Sequence, residues 1–259
     1  MSTPVGDVIA RLAAMPAVAD GAAAARKSID DLLWRRDVRA AATDFTAGSR
    51  VQGAQASAAL DGADIAVADD SPMGRVLAAA QALTGEVPGQ VETWSRAPLQ
   101  VLAHLHAVAA RDRTPAEGLG RPRTDSEAVD DSMSLGAPPD AREAAGRLAL
   151  LGDLVTGARE ESALVVAGIV HGEIQAARPF AWGSGLIARA TVRLVFADRG
   201  VDPSLFSIPE VGMVHTGRAA CARALKAYAA GNLPTYFAWF FDTIRSGAQA
   251  ATTGVPGEA

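Results

Sequence analysis

The chain has 259 residues, with 24 basic against 29 acidic side chains, a formal net charge of −5 and a pI near 5.4. It is 49% hydrophobic but only 5% aromatic, because alanine is by far the largest part of the apolar share. These figures argue against intrinsic disorder, against a generic basic nucleic-acid binder and, with Cys221 alone, against a disulfide framework or cysteine-rich metal site, while the length suffices for a full core.

No apolar run reaches the roughly 18 residues that cross a bilayer. The longest, Ala163 to Val170, gives way to His171 and Glu173. The first residues carry no basic segment of the kind that opens a signal peptide. The expectation is a cytoplasmic protein with neither membrane nor nucleic acid as partner.

Alanine is the best helix former, and the β-branched and aromatic share is low. The fold class expected is therefore all-α, a mostly helical bundle. Pro4 precedes Val8, Ile9, Leu12 and Met15 at helical spacing. A second helix is predicted from about Ala24 to Phe45, and a third from about Arg50 to Leu60, stopped by Asp61-Gly62. Asp69-Asp70-Ser71-Pro72 reads as a helix start, with acids, a Ser cap and Pro at the first position. That helix is expected to end near Gly85. Another runs from Pro98 to Arg111.

The stretch from Asp112 to Pro139 lacks periodicity and is rich in Arg, Asp, Gly, Pro and Ser. It reads as a long exposed excursion with room for a short β-hairpin over 112–138. Long connections of this kind are often functional. Helix returns from Pro139 to Thr156. Glu160-Glu161-Ser162 opens a helix through Ala177 that is apolar nearly all round, as a central buried helix would be. After a break at 178–183, helices are predicted over 184–199, 209–230 and 233–246. The expected organisation is N-terminal helices over 1–45, a helical domain over 46–246 and a frayed tail over 247–259, all in one compact unit.

The informative feature is a helix, a tight glycine loop and a second helix. Gly183-Ser184-Gly185 presents backbone N–H groups at a helix start, which favours an anion. Ser184 is placed to cap the helix and touch a phosphate, and Arg189 to reach back to the same spot. The competing reading is a helix corner whose glycines only permit the turn.

The segment from Ile169 to Arg189 reads IVHGEIQAARPFAWGSGLIAR. It resembles the signature segment of the Fic (Fic/Doc) family, His-Pro-Phe-x-(Asp/Glu)-Gly-Asn-Gly-Arg-x-x-Arg. Pro179, Phe180, Gly183, Gly185 and Arg189 match that motif. His171 matches a His the family often carries seven residues earlier, and Gly200-Val201-Asp202-Pro203 also looks family-like. Upstream, Ser57-Ala58-Ala59-Leu60-Asp61-Gly62 resembles the family's class II inhibitory motif, (Ser/Thr)-x-x-x-Glu-(Gly/Asn), with Asp for Glu.

The resemblance covers about Phe45 to Phe241 and implies a Fic-like helical domain. It implies transfer of AMP from ATP to a protein hydroxyl, with Phe180, Gly183, Ser184, Gly185 and Arg189 around the nucleotide phosphates. It implies that Ser57, Asp61 and Gly62 form an inhibitory element whose acid pairs with Arg189. It places a substrate-docking hairpin in the 112–138 excursion, and dimers are common in the family.

The departures are as specific as the matches. The motif His, the general base, is Arg178, whose guanidinium keeps its proton. The motif acid, which holds a metal, is Trp182, which offers no oxygen. The motif Asn is Ser184 and the first motif Arg is Leu186. The expectation is a degenerate Fic-like protein that lacks adenylyl transferase activity. It would act as a nucleotide- or phosphate-binding or regulatory module, with ATP or another nucleotide as ligand, no magnesium site, and a protein target or regulatory partner. The alternative is a transferase of altered chemistry, moving AMP, phosphoryl or a related group, with Arg178 in the place of the base.

Other residues carry weaker signals. His171 reads as a structural helix residue, since seven residues is about 10.5 Å of rise from the motif position. His104 and His106 face different directions, and His215 reads as solvated near a helix start. No His/Asp/Glu cluster has metal-ligand spacing. Cys221 reads as a buried inert thiol. Trp182 either fills the space of the missing acid or covers a planar ligand. Tyr236, Phe237, Trp239, Phe240 and Phe241 read as a core anchor, with an interface as the other option.

Overall fold

A computed structural model describes residues 4–63 and 71–253. Among these residues the chain is helical, with no strand. The helices are α1 (Pro4–Ala13), α2 (Pro16–Leu33), α3 (Arg36–Ala40), α4 (Ala42–Leu60), α5 (Pro72–Trp94), α6 (Pro98–Ala109), α7 (Ala141–Gly157), α8 (Ala163–Ala177), α9 (Ser184–Asp198), α10 (Pro209–Thr216), α11 (Arg218–Ala229) and α12 (Leu233–Thr253).

α8 and α9 form the centre. Leu164, Val165, Val166, Val170 and Ile174 of α8 are buried, as are Ile187, Val192, Leu194, Val195 and Phe196 of α9. Ridges of these side chains face on all sides, so each helix needs neighbours all round. α7, α11 and α12 pack on α8, while α4, α5 and α6 pack on α9. α12 also pairs along α2 and α10, which joins the N-terminal helices to the same body. Alanine makes this closeness possible: Ala25, Ala54, Ala58, Ala167 and Ala188 are fully buried. At Gly212 a side chain would collide with the Thr243 carbonyl, so α10 and α12 approach there with no room for a methyl.

Several helix limits differ from expectation. Arg36–Ala40 and Ala42–Leu60 replace the expected ends near Phe45 and Arg50. α5 does not stop at Gly85 but continues through Pro88 to Trp94. Its buried face, Val76, Leu83, Val87 and Trp94, outweighs the local cost of Gly and Pro. Ser71 caps α5, accepting from Gly74 N at 3.0 Å, while Asp69 and Asp70 lie outside the described residues. Gly217 divides the expected 209–230 helix in two. α12 extends to Thr253, so residues 247–253 of the expected tail are helical, and 254–259 lie outside the described residues. No hairpin forms over 112–138; one 3-10 turn, Ala116–Gly118, and irregular backbone take its place. No single helix among the described residues is long and apolar enough to cross a membrane.

The aromatics near the C-terminus are core. Tyr236, Phe237, Phe240 and Phe241 are buried, and Trp239 is packed against them. The Tyr236 hydroxyl donates to the Gly168 carbonyl at 2.8 Å, so the His171 ring Nδ1–H donates to the Tyr236 oxygen at 2.9 Å. Burial, then the Arg189 charge, pushes His171 down to about 3. His171 is a core residue. His106 is buried too; it accepts from Gly120 N at 3.0 Å and stacks on Phe180 at 4.3 Å. Burial pushes it down to about 4. His104 pairs with Glu86 at 2.7 Å on the surface. His215 sits in the last turn of α10, not at a helix start, and meets Ser246 at 3.1 Å. Burial raises the Cys221 thiol, which leaves it protonated and unreactive.

Both buried histidines are neutral in the folded chain, whereas the unfolded chain binds protons near pH 6.5. Their stabilisation is therefore fully present above pH 6.5 and is lost as the pH falls from 6.5 towards 4. Thermal melts should be flat from pH 7 to 8 and fall steeply below 6.5. His106 alone accounts for up to about 3 kcal/mol of the loss. His106→Gln, which keeps an acceptor but does not titrate, should flatten part of that slope.

Candidate functional site

The turn between α8 and α9 is made by three local constraints. Arg178 ends α8 in the left-handed conformation, at φ 43°, and its N–H closes on the Ile174 carbonyl at 3.0 Å. Pro179 cannot continue a helix. Gly183, at φ 78°, then starts α9, and Ile187 N returns to the Gly183 carbonyl at 3.0 Å. Phe180 is buried against His106 and plugs the turn into the core. Ser184 does not cap α9; Gly183 holds the cap position and no side chain bonds there. The Ser184 hydroxyl instead folds back on Phe180, donating to its carbonyl at 3.3 Å.

Arg189 lies one turn into α9 and is 1% exposed. Ser57 and Asp61, four residues apart, share one face of the end of α4. The Arg189 Nε donates to Ser57 Oγ at 2.8 Å, and Nη2 donates to the Ser57 carbonyl at 3.0 Å and to Asp61 Oδ2 at 2.7 Å. Nη1 is buried without a hydrogen-bond partner. The Asp61 side chain is 6% exposed. Gly62 follows at φ 87° and turns the chain away. A Cβ on Gly185 would sit 3.3 Å from both Arg189 Nη1 and Asp61 Oδ1. The ion pair therefore lies directly against the glycine turn, and residues 57, 61, 185 and 189 form one cluster.

The 112–138 excursion is a strap over this cluster. Arg123 N donates to the Pro179 carbonyl and Arg123 Nε to the Arg178 carbonyl, each at 2.8 Å. Asp130 N donates to the Ala181 carbonyl at 2.9 Å. Ser132 Oγ donates to Asp61 Oδ1 at 2.8 Å. Arg178 returns the contact: Nη2 donates to the Gly136 carbonyl at 2.7 Å, and Nη1 lies 3.1 Å from Asp131. From α11, Arg218 donates to both the Leu60 and the Ser132 carbonyls, pinning the end of α4 to the strap.

The electrostatics follow from crowding. Burial, opposed by the Asp131 carboxylate, lowers the Arg178 guanidinium from its ordinary value. Burial, then the Asp61 charge, raises the Asp130 carboxyl. Trp182 is part-exposed and packs against the edge of the core. It lies 5.3 Å from the Arg113 guanidinium and lines a cavity of about 430 Å³ with Thr114, Glu127 and Asp130. Among the described residues, no three His, Cys, Asp or Glu side chains converge as a metal would need.

Sequence reasoning named Ser57, Asp61, Gly62, Arg178, Phe180, Gly183, Ser184, Gly185 and Arg189. It missed Arg123, Asp130, Asp131, Ser132 and Arg218. The only signal for four of these was the aperiodic polar excursion itself. Arg218 looked like any surface arginine.

Two solved structures are similar to the chain. One is a Fic family protein from Desulfovibrio desulfuricans G20, with a TM-score of 0.71 at 18% identity, over 95% of this chain and 77% of that one. The other is Fic-1, residues 134–508, from C. elegans, with a TM-score of 0.69 at 15% identity, over 91% of this chain and 72% of that one. No family model and no curated protein matches the sequence. The chain has the all-α, Fic-like fold.

Arg123 is 6% exposed and its bonds fix the start of the strap. Arg123→Ala leaves the Arg178 and Pro139 carbonyls unpaired and should cost about 2 kcal/mol in denaturant unfolding. Limited proteolysis should then cut within 121–136 well before it cuts elsewhere.

Proposed function

We propose that the chain is a Fic-like protein without adenylyl transferase activity, a nucleotide- or phosphate-binding regulatory module held shut by its own α4. One observation carries this reading: Arg189, at the place of the family's second motif arginine, is paired at 2.7 Å with Asp61, at the place of its inhibitory acid. Phosphate and carboxylate compete for the same guanidinium. A ligand at the glycine turn must therefore displace Asp61.

The chemistry of turnover is poorly served. Arg178 stands at the general-base position, and a guanidinium holds its proton at working pH. Its charge is already engaged by Asp131 and the Gly136 carbonyl. Trp182 stands where the family's metal-binding acid would be and has no oxygen to offer a hard cation. What the site retains suits binding: the N–H groups of the first turn of α9, which have no intrahelical partner, and the uncommitted Nη1 of Arg189. The natural ligand on this reading is ATP or another nucleotide, without magnesium. A protein target or regulatory partner in the cytoplasm, and a homodimer, belong to the same reading.

Closure lowers apparent affinity by the fraction of molecules that are open. Titration calorimetry with ATP and ADP, with and without magnesium, tests this. Asp61→Gly should tighten binding by about tenfold or more, independently of magnesium. Asp61→Gly with Arg189→Ala should lose the gain. Labelled ATP in cell lysate should leave no label on protein. Unchanged affinity in Asp61→Gly would sink the inhibitory role of α4. Label transfer abolished by Arg178→Ala would replace the binding module with a transferase of altered chemistry.

A further inference from the structure

A second group of arginines lies beside the glycine turn but faces a different space. α5 presents Arg75, Ala78 and Ala82 on one face, at three- and four-residue spacing. Opposite them, the end of α6 and the turn after it present Arg111, Asp112 and Arg113. Between the two is a cavity of about 180 Å³. Methyl groups make its floor, and three guanidinium groups stand around it against one carboxylate.

These charges are little used by the protein itself. Arg75 and Arg111 have no side-chain hydrogen bond or ion pair among the described residues. Arg113 is held in place. It donates to the Pro72 carbonyl, its guanidinium lies 5.3 Å from the Trp182 ring, and its Nε is buried without a hydrogen-bond partner. Like charges around one small space repel, and an anion between them relieves the repulsion. Guanidinium groups do not titrate, so the attraction persists at all working pH values. Three guanidinium groups lining one small space offer more donors and more positive charge than a singly charged, two-oxygen carboxylate can use, whereas a multiply charged tetrahedral anion with several acceptor oxygens can use them.

We propose that this cavity is a second ligand site, which binds a phosphorylated anion through Arg75, Arg111 and Arg113. The methyl floor accepts the small apolar body of a phosphate monoester, and inorganic phosphate and pyrophosphate share its chemistry. Trp182 is the positioning residue, holding Arg113 at the edge of the site. The inference stands independently of the nucleotide reading of the glycine turn.

Inorganic phosphate and pyrophosphate are titrated into the full chain at low ionic strength, with chloride as the control anion. Saturable binding at one site is expected. Arg75→Ala and Arg111→Ala should each weaken it by about tenfold or more, and Asp112→Asn should tighten it. Arg75, Arg111 and Asp112 are exposed, so these variants should melt at the native temperature without ligand. Asp61→Gly opens the glycine turn to anions, so the arginine site is read in an Arg189→Ala background, where Asp61→Gly should leave phosphate affinity unchanged and Arg75→Ala should still weaken it. Absence of saturable binding overturns the proposal. So does binding that ignores the arginine variants and responds to Asp61→Gly, which would put the anion at the glycine turn. Nucleotide binding governed by Asp61 and phosphate binding governed by Arg75 and Arg111 fail or succeed separately.

Discussion

The Arg189–Asp61 pair is the interaction on which the rest of the site depends. A guanidinium that is 1% exposed must be compensated, since a lone buried charge is costly. Asp61 supplies the charge, and Ser57 supplies an oxygen from its side chain and another from its backbone. That requirement brings the end of α4 against the start of α9. It also reaches the strap, because the second oxygen of Asp61 takes its hydrogen bond from Ser132. Gly185 leaves the space in which this can happen, since a Cβ there would sit 3.3 Å from both Arg189 Nη1 and Asp61 Oδ1.

The strap and the turn hold one another. Arg178 takes a left-handed conformation that a non-glycine residue adopts only at a cost of about 1 kcal/mol or more. Its carbonyl accepts from Arg123 and its guanidinium is bound by Asp131 and Gly136. Each of these contacts is intelligible as local satisfaction of buried polar groups. Together they convert a helix corner into a closed assembly of turn, strap and α4. The closure is built from residues of α4, the strap, the turn and α9 of a Fic-like fold.

The α8–turn–α9 unit was legible from the sequence because its signals are local. An apolar run, a proline, two glycines and an arginine one turn later need no distant partner to be read. The approach of Ser57 and Asp61 to Arg189, 132 and 128 residues away, was readable only through the family resemblance. The strap was readable as an excursion over 112–138, but its course was not. Its position is set by backbone carbonyls of residues 178, 179 and 181, and carbonyls carry no sequence signature. The continuation of α5 through Gly85 and Pro88 failed for a related reason. Local propensity argued for a stop, and burial of Leu83, Val87 and Trp94 overrode it.

Arg193 gives α4 a second attachment. Four residues beyond Arg189 on α9, it donates to the Ser49 carbonyl at 3.1 Å and to Ser49 Oγ at 3.0 Å. It also donates to the Leu205 carbonyl at 2.8 Å and faces the buried Glu210 carboxylate at 4.0 Å. α4 is therefore gripped by two arginines, at Ser49 and at Ser57, about two turns apart. The grips are unequal in reach. The one at Ser49 is tied into the Leu205 carbonyl and Glu210 deep in the core, while the one at Ser57 adjoins the helix end and the strap. Loss of the outer grip leaves the inner one intact. The inner grip therefore holds α4 to the bundle through bonds that involve neither Asp61 nor Arg189.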